Sequence, residues 1–206
     1  MTKIIAISGK KQSGKNTLSS YIEEFAQSKN YSVGKYSFAY ELKYFLVNAM
    51  MLDNSQVWGS EPQKNTKTQY LWDNLPEGIS QGRTGFITSR ELMQIFGTDV
   101  MRNMFSDTIW TDNTISRILN DSYDFALIED LRFQNEIRSL LKYPSYFIRL
   151  TRGQEQGDSH VSEKNLDSFN WDLEIPNQRY CLIPNNLNKE ETWEKAKEYM
   201  INVVKI

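Results

Sequence analysis

The chain has 206 residues, 39% hydrophobic and 24% charged, with a net charge of −2. That suffices for one domain with its own core, burying about 70% of the surface that the unfolded chain exposes. The charge gives no electrostatic case for a nucleic acid polymer as partner. Small polyanions such as nucleotides stay open, because local donors hold them. A single cysteine, Cys181, and a single histidine, His160, exclude an intrachain disulfide and metal sites built on clusters of either residue. Cys181 lies in an apolar run and reads as a small core residue.

At the amino terminus, residues 4–7 are apolar and β-branched and lead into Ser8-Gly9, the pattern of a buried strand. This run is too short for a signal peptide, and no apolar stretch approaches the roughly 18 residues of a membrane span. The cytosol is the expected compartment, that of a host cell if the gene is viral, and no membrane partner is expected. Leu18, Tyr21, Ile22, Phe25 and Ala26 recur at helical spacing and predict a helix over 15–28. A strand follows over 33–37, then a helix marked by Leu42, Phe45, Leu46 and Ala49.

Residues 53–88 are rich in Asn, Gln, Ser, Thr, Gly and Pro and carry no clean period. A structureless loop of that length is uncommon in a compact domain, so the segment reads as an inserted lobe. Leu92, Met93, Ile95 and Phe96 predict a helix ending near Gly97, and another runs over 109–119. Strands at 125–128, 146–150 and 180–183 alternate with a helix at 133–141. A polar, loop-like stretch fills 152–172, and a final helix carries Trp193, Ala196, Met200 and Val203 on one face. Alternating strands and helices imply right-handed crossovers and an α/β fold, a five-stranded parallel sheet flanked by helices.

The strongest motif is Gly9-Lys10-Lys11-Gln12-Ser13-Gly14-Lys15-Asn16-Thr17, the G-x-x-x-x-G-K core of a P-loop between a strand and a helix. The glycines let successive backbone N–H groups curl inward as an anion nest, Lys15 brings a cation to the outer phosphates, and the helix start adds partial positive charge. The position after Lys15, ordinarily a Mg²⁺-binding Ser or Thr, is Asn16, whose amide oxygen can still ligate the ion; Thr17 would touch the α-phosphate. A second motif is the strand 125–128 ending in Glu129-Asp130-Leu131-Arg132, where P-loop proteins hold Mg²⁺ through an acid. Asp130 is the better candidate of the two acids, paired with Arg132; otherwise the acids simply cap the next helix. Lys43, Arg90, Arg132, Arg149 and Arg152 stand near element ends, where cations could clamp donor and acceptor phosphates.

Several segments together resemble the deoxynucleoside monophosphate kinases of phages. These are the loop 9–17, Ser37-Phe38-Ala39 through Leu42-Lys43, and most specifically Arg90-Glu91-Leu92-Met93-Gln94-Ile95-Phe96-Gly97-Thr98-Asp99 followed by Trp110. Asp130-Leu131-Arg132, Thr151-Arg152-Gly153, His160-Val161-Ser162-Glu163 and Asn185-Asn186 also match, so the likeness covers most of the chain apart from 53–88. The resemblance implies a P-loop NTPase fold over 1–206, with 53–88 as acceptor-binding lobe and 152–172 as lid. It implies ATP and Mg²⁺ as cofactors, deoxynucleoside monophosphates as acceptors, and a homodimer. Gly9, Lys11, Ser13, Gly14, Lys15, Asn16, Thr17 and Asn185 would bind ATP, with Asn185 by the adenine; Asn16 and Asp130 would hold the metal. Lys43, Arg90, Thr98, Asp99, Trp110 and Arg132 would bind the acceptor, and Lys15, Asp130, Arg132 and the lid residue Arg152 would act on the moving phosphoryl group.

Plainer readings remain beside these. Gly97 and Thr98 could be a helix C-cap and the next N-cap, Trp110 a core residue, and His160 with Glu163 a lid anchor. A P-loop kinase for another small phosphorylated acceptor (phosphomevalonate or dephospho-coenzyme A) and a non-catalytic ATP-binding switch are the alternative functions.

Overall fold

The computed structural model describes residues 1–10, 13–151, 165–184 and 186–206, with the backbone alone at 177. The chain divides into two compact units, Met1–Ser37 with Thr114–Ile206, and Phe38–Asn113.

The first unit is built on a parallel sheet of five strands in the order β2-β5-β1-β6-β7. They are β1 (Lys3–Gly9), β2 (Val33–Tyr36), β5 (Phe125–Leu131), β6 (Ser145–Thr151) and β7 (Tyr180–Pro184). β1 is central: Ile5 lies between Leu127 and Tyr146, and Ser8 stands opposite Arg149. Its residues 4–7 are all buried, which is why the strand reads as a continuous apolar run with no alternation. On one face Ile5 and Ile7 pack into a core with Leu18 and Ile22 of α1 (Lys15–Ser28) and with Ala196, Tyr199, Met200 and Val204 of the carboxy-terminal helix. Each such aliphatic side chain contributes about 1.5–3 kcal/mol by leaving water. The carboxy-terminal helix, α10 (Lys189–Tyr199), continues in a wider π-helical turn, Met200–Val204.

β5 runs three residues beyond the strand expected over 125–128, so that Glu129 and Asp130 lie within it. Its register with β1 shifts between Ala6 and Ser8, beside those two acids. The helix α8 (Gln134–Leu140) is capped by Glu136, which is buried and accepts the N–H groups of Arg132 (2.8 Å) and Phe133 (3.0 Å). Cys181 is half-buried in β7, as expected of a small residue in an apolar strand, and its thiol is pushed up by burial. Of the segment expected as a lid, residues 152–164 lie outside the described residues. In the remainder Leu166, Phe169 and Trp171 are buried, and α9 (Trp171–Glu174) forms.

The second unit contains α2 (Tyr40–Asn48), α3 (Asn54–Trp58), α4 (Glu61–Lys64), β3 (Lys67–Leu71), α5 (Glu77–Ser80), β4 (Phe86–Thr88) and α6 (Ser89–Gln94). α7 (Ile109–Asp121) begins here and crosses the boundary at Thr114. The aperiodic segment 53–88 is thus a set of short capped helices around the antiparallel β3–β4 pair. The helix expected to stop near Gly97 does not stop there. It runs on as π-helical turns, Ile95–Phe105, so Gly97 and Thr98 are neither a C-cap nor an N-cap. Gly97 sits close to a neighbour: a Cβ there would come within 2.8 Å of Leu42 Cδ2, so that methyl would have to shift to admit one. Among the described residues no helix is long and apolar enough to cross a membrane.

Two glycine substitutions test this account of the second unit. Gly97→Ala should destabilise the protein by about 1–3 kcal/mol through overpacking. Gly78→Ala, in α5 with nothing within 4 Å of the new methyl, should stabilise it by about 0.4–1 kcal/mol. Urea denaturation measures both, and equal effects would contradict the packing.

Candidate active site

The P-loop leaves the end of the central strand. Gly14 caps α1 at φ +88°, a conformation that favours glycine. Gly9 is needed for a different reason: a Cβ would lie 2.5 Å from Ser13 Oγ and 3.1 Å from Leu150 Cβ. Ser13 is buried, and among the described residues its Oγ has no hydrogen-bond partner. A buried orphan hydroxyl in a glycine loop suits a loop made to receive an oxyanion.

Lys15 Nζ donates to the carbonyls of Gly9 and Lys10, both at 2.7 Å. Burial brings its pKa from the ordinary 10.5 down to about 8; the neighbouring Arg132 guanidinium pushes the same way, and Asp130 opposes both. The lysine is therefore still cationic at neutral pH but under-compensated. Asn16 and Thr17 are exposed on the first turn of α1.

Asp130 accepts a hydrogen bond from Ser37 Oγ at 2.6 Å. Glu129 is committed elsewhere, 3.8 Å from Lys35, which also holds Glu23 at 2.7 Å. Asp130 is the one whose charge reaches Lys15. Arg149 donates from Nη1 to Ser8 Oγ (3.1 Å) and from Nη2 to Asp167 Oδ1 (2.7 Å), and Lys10 approaches the same Asp167 at 3.5 Å. Beside the loop a cleft of about 90 Å³ is lined by Ser13, Gly14, Thr17, Tyr21, Leu187 and Trp193, among others. Tyr21 and Trp193 pack at 5.7 Å between ring centroids.

The other expected acceptor residues, Arg132 apart, belong to the second unit. Arg90 lies in the first turn of α6, whose N-cap Thr88 is locked by Glu91: Thr88 N–H donates to Glu91 Oε2 at 2.7 Å and Glu91 N–H to Thr88 Oγ1 at 3.2 Å. Its Nε donates to Asn65 Oδ1 at 3.0 Å, and its Nη2 pairs with Glu61. Lys43 Nζ stands 4.6 Å above the Trp58 ring, a cation–π contact. Thr98 and Asp99 are half-buried on the π-helical turns. Trp110 is buried and donates from Nε1 to the Gly97 carbonyl at 2.9 Å, so its indole ties the start of α7 to those turns. Lys11, Arg152 and Asn185, together with His160 and Glu163, lie outside the described residues.

Four contributors escaped the sequence reading: Ser8 and Asp167, which hold Arg149, and Glu61 and Asn65, which hold Arg90. Only the last two left a signal. Ser60-x-x-Gln63 is a helix-start pattern, and it places Glu61 and Asn65 four residues apart on one face.

A glycine loop rising from the middle strand of a parallel sheet, with a half-buried lysine, an acid and an arginine around it, defines a P-loop phosphotransferase. Comparison with known proteins narrows this class. The family model for deoxynucleotide monophosphate kinase matches residues 3–68 and 78–181. The chain belongs to the deoxynucleotide monophosphate kinase family and is a kinase. The match takes in most of 53–88, a stretch that the sequence resemblance had left out.

A chain of Acanthamoeba polyphaga mimivirus, provisionally named as such a kinase, is 26% identical over 192 residues, 85% of this chain and 89% of that one. The deoxynucleotide monophosphate kinase of Enterobacteria phage T4 is 30% identical over 112 residues, 52% of this chain and 43% of the phage protein. The deoxynucleoside-5′-monophosphate kinase of Escherichia phage T5 is 33% identical over 85 residues, 41% of this chain and 33% of that one. A solved sugar kinase of Janibacter sp. HTCC2649 superposes with a TM-score of 0.47 at 10% identity, covering 98% of this chain and 96% of that one.

The depressed pKa of Lys15 has a measurable consequence. Between about pH 8 and 10.5 the unfolded chain keeps a proton on this amine that the folded chain has lost, so folding releases it and stability rises with pH. The stability difference between wild type and Lys15→Met should stay flat below pH 7 and then shift in favour of wild type over that window. Denaturant titrations at several pH values measure it; a difference that stays flat to pH 10.5 would refute the buried-cation account.

Proposed function

We propose that this kinase transfers the γ-phosphoryl group of ATP to the 5′-phosphate of deoxynucleoside monophosphates, yielding the diphosphates. The observation that carries the reading is Lys15, a half-buried cation held by its own loop beside Arg132 and Asp130. Gly9, Ser13, Gly14, Asn16, Thr17 and Lys15 cradle the donor phosphates with the open N–H groups of α1. Lys11, Arg152 and Asn185 retain their expected roles toward ATP and the moving phosphoryl group.

The donor set suits Mg²⁺: Asp130, a carboxylate oriented by Ser37, and the amide oxygen of Asn16 are hard oxygen ligands and would hold it. The ion would supply charge neutralisation at the outer phosphates. Arg132 opposes the negative charge that spreads over the phosphoryl group in transit. Arg90, with Lys43, binds the acceptor phosphate, and Thr98 and Asp99 contact the acceptor nucleotide. Trp110 acts through the Gly97 turn that it anchors. The acceptor phosphate is itself a competent nucleophile, so positioning and charge neutralisation suffice without a protein nucleophile. A virus-encoded supply of DNA precursors in the host cytoplasm is the setting this reading implies.

The test is ADP release from ATP and Mg²⁺ with each deoxy- and ribonucleoside monophosphate in turn. Release that depends on particular deoxynucleotides is expected. Release without any acceptor, or silence despite measured ATP binding, would overturn the assignment. Within an active enzyme, Arg90→Ala should lower kcat/KM for the acceptor by about 10²-fold or more and leave the Kd for ATP within about twofold. Full activity in that variant would remove Arg90 from the acceptor site.

A further inference from the structure

Arg90 carries acceptor binding in the proposed function, and the role assigned here to two of its neighbours rests on that reading. We propose that Glu61 and Asn65 are positioning residues that clamp one edge of the Arg90 guanidinium and present the other to the acceptor phosphate. The two residues bracket α4, a single helical turn. Its start is fixed by Gln63, whose Oε1 accepts from Ser60 N–H (2.8 Å) and Ser60 Oγ (2.9 Å), and by Pro62 within the first turn. Asn65 Nδ2 donates back to the Glu61 carbonyl at 3.0 Å, which closes the turn.

Asn65 Oδ1 takes the Nε–H of Arg90, and the Glu61 carboxylate takes Nη2. Nε and Nη2 share one long edge of the planar guanidinium, so both anchors grip the same side. Among the described residues Nη1 has no hydrogen-bond partner, and the edge that contains it is left open.

The backbone beneath Arg90 is equally fixed. Thr88 and Glu91 cap α6, and Ser89 Oγ donates to the Gln56 carbonyl of α3 at 2.8 Å. Lys64 stands 3.8 Å from Glu61, so the carboxylate's charge is shared and the group of three keeps a net positive charge for an incoming dianion. The pair is partly exposed, Arg90 at 31% and Glu61 at 42%, so direction rather than stability is what it supplies. A guanidinium already stripped of rotamer freedom binds phosphate without ordering itself first. The opposite role for Glu61 would be a carboxylate that occupies Arg90 in the phosphate's place and must be expelled.

The two roles move KM in opposite directions. Glu61→Ala should raise KM for the deoxynucleoside monophosphate about tenfold, with KM for ATP and the melting temperature unchanged. Glu61→Gln, which keeps an acceptor oxygen, should recover most of that loss, and Asn65→Ala should raise the acceptor KM several-fold. A lower acceptor KM in Glu61→Ala would overturn the clamp in favour of a competing carboxylate, and an unchanged one would leave the pair without a role. Direct binding separates this from failure of the underlying reading. Clamp variants should weaken binding of the monophosphate and not of the free deoxynucleoside, whereas wild-type protein that binds no monophosphate would overturn the assignment of Arg90 itself.

Discussion

One half-buried ammonium group sets the terms for the rest of the loop. Taking Lys15 out of water disfavours its charge, and Arg132 adds to that cost. Two loop carbonyls at 2.7 Å and the field of Asp130 return part of it. The balance is a lysine whose pKa falls to about 8, which on the proposed reading leaves its charge for the donor phosphates. Full neutralisation by a tight carboxylate pair would satisfy the free protein better and leave less attraction for a phosphate. Ser13 belongs to the same loop, and among the described residues its buried hydroxyl has no hydrogen-bond partner.

The sheet order explains which residues can serve that lysine. β5 lies directly against β1, so the acid at the end of β5 comes up beside the loop that leaves β1. β2 lies on the far side of β5, and Ser37, one residue past its end, reaches Asp130. β6 flanks β1 on its other edge, with Arg149 in register with Ser8 and bonded to it. Parallel strands deliver all their carboxy-terminal ends to one side, so a phosphate site assembled from several of them needs no long-range coincidence in the sequence. The register shift opposite Ala6 and Ser8 inserts one extra residue in β5, at Glu129 and Asp130.

This arrangement was legible wherever burial or glycine geometry left a pattern. The run at 4–7 and the apolar spacing in 15–28 predicted the strand and the helix with its observed bounds. Asp130 was preferred to Glu129 for its pairing with Arg132, and in the structure Asp130 is the acid whose charge reaches Lys15 while Glu129 stands 3.8 Å from Lys35. Gly97 was misread for an identifiable reason. A glycine after an amphipathic run looks like a C-cap, yet this one lies inside the helix, close to Leu42, which is 55 residues away in the sequence. The π-helical turns that follow keep an apolar stripe much as an α-helix does, so periodicity could not distinguish them. Partners such as Asp167 for Arg149 and Lys10 were invisible because a salt bridge leaves no local trace in sequence.

The segment 53–88 illustrates the same limit from the other side. Its length marked it as an inserted lobe, but its lack of hydrophobic period hid the elements inside it, because its order is largely polar and local. Gln56 donates to the Lys67 carbonyl, Thr68 to that of Ile87, and Asp73 accepts from Gly85 N–H. Only Val57, Trp72 and Ile87 anchor the region as buried apolar side chains. Scaffolding of this kind stabilises weakly for each bond but fixes direction well, because every hydrogen bond has an angle to keep. On the proposed reading Arg90 meets a phosphate and needs direction more than depth, and a lobe of short capped helices can supply that without a core large enough to show in the sequence.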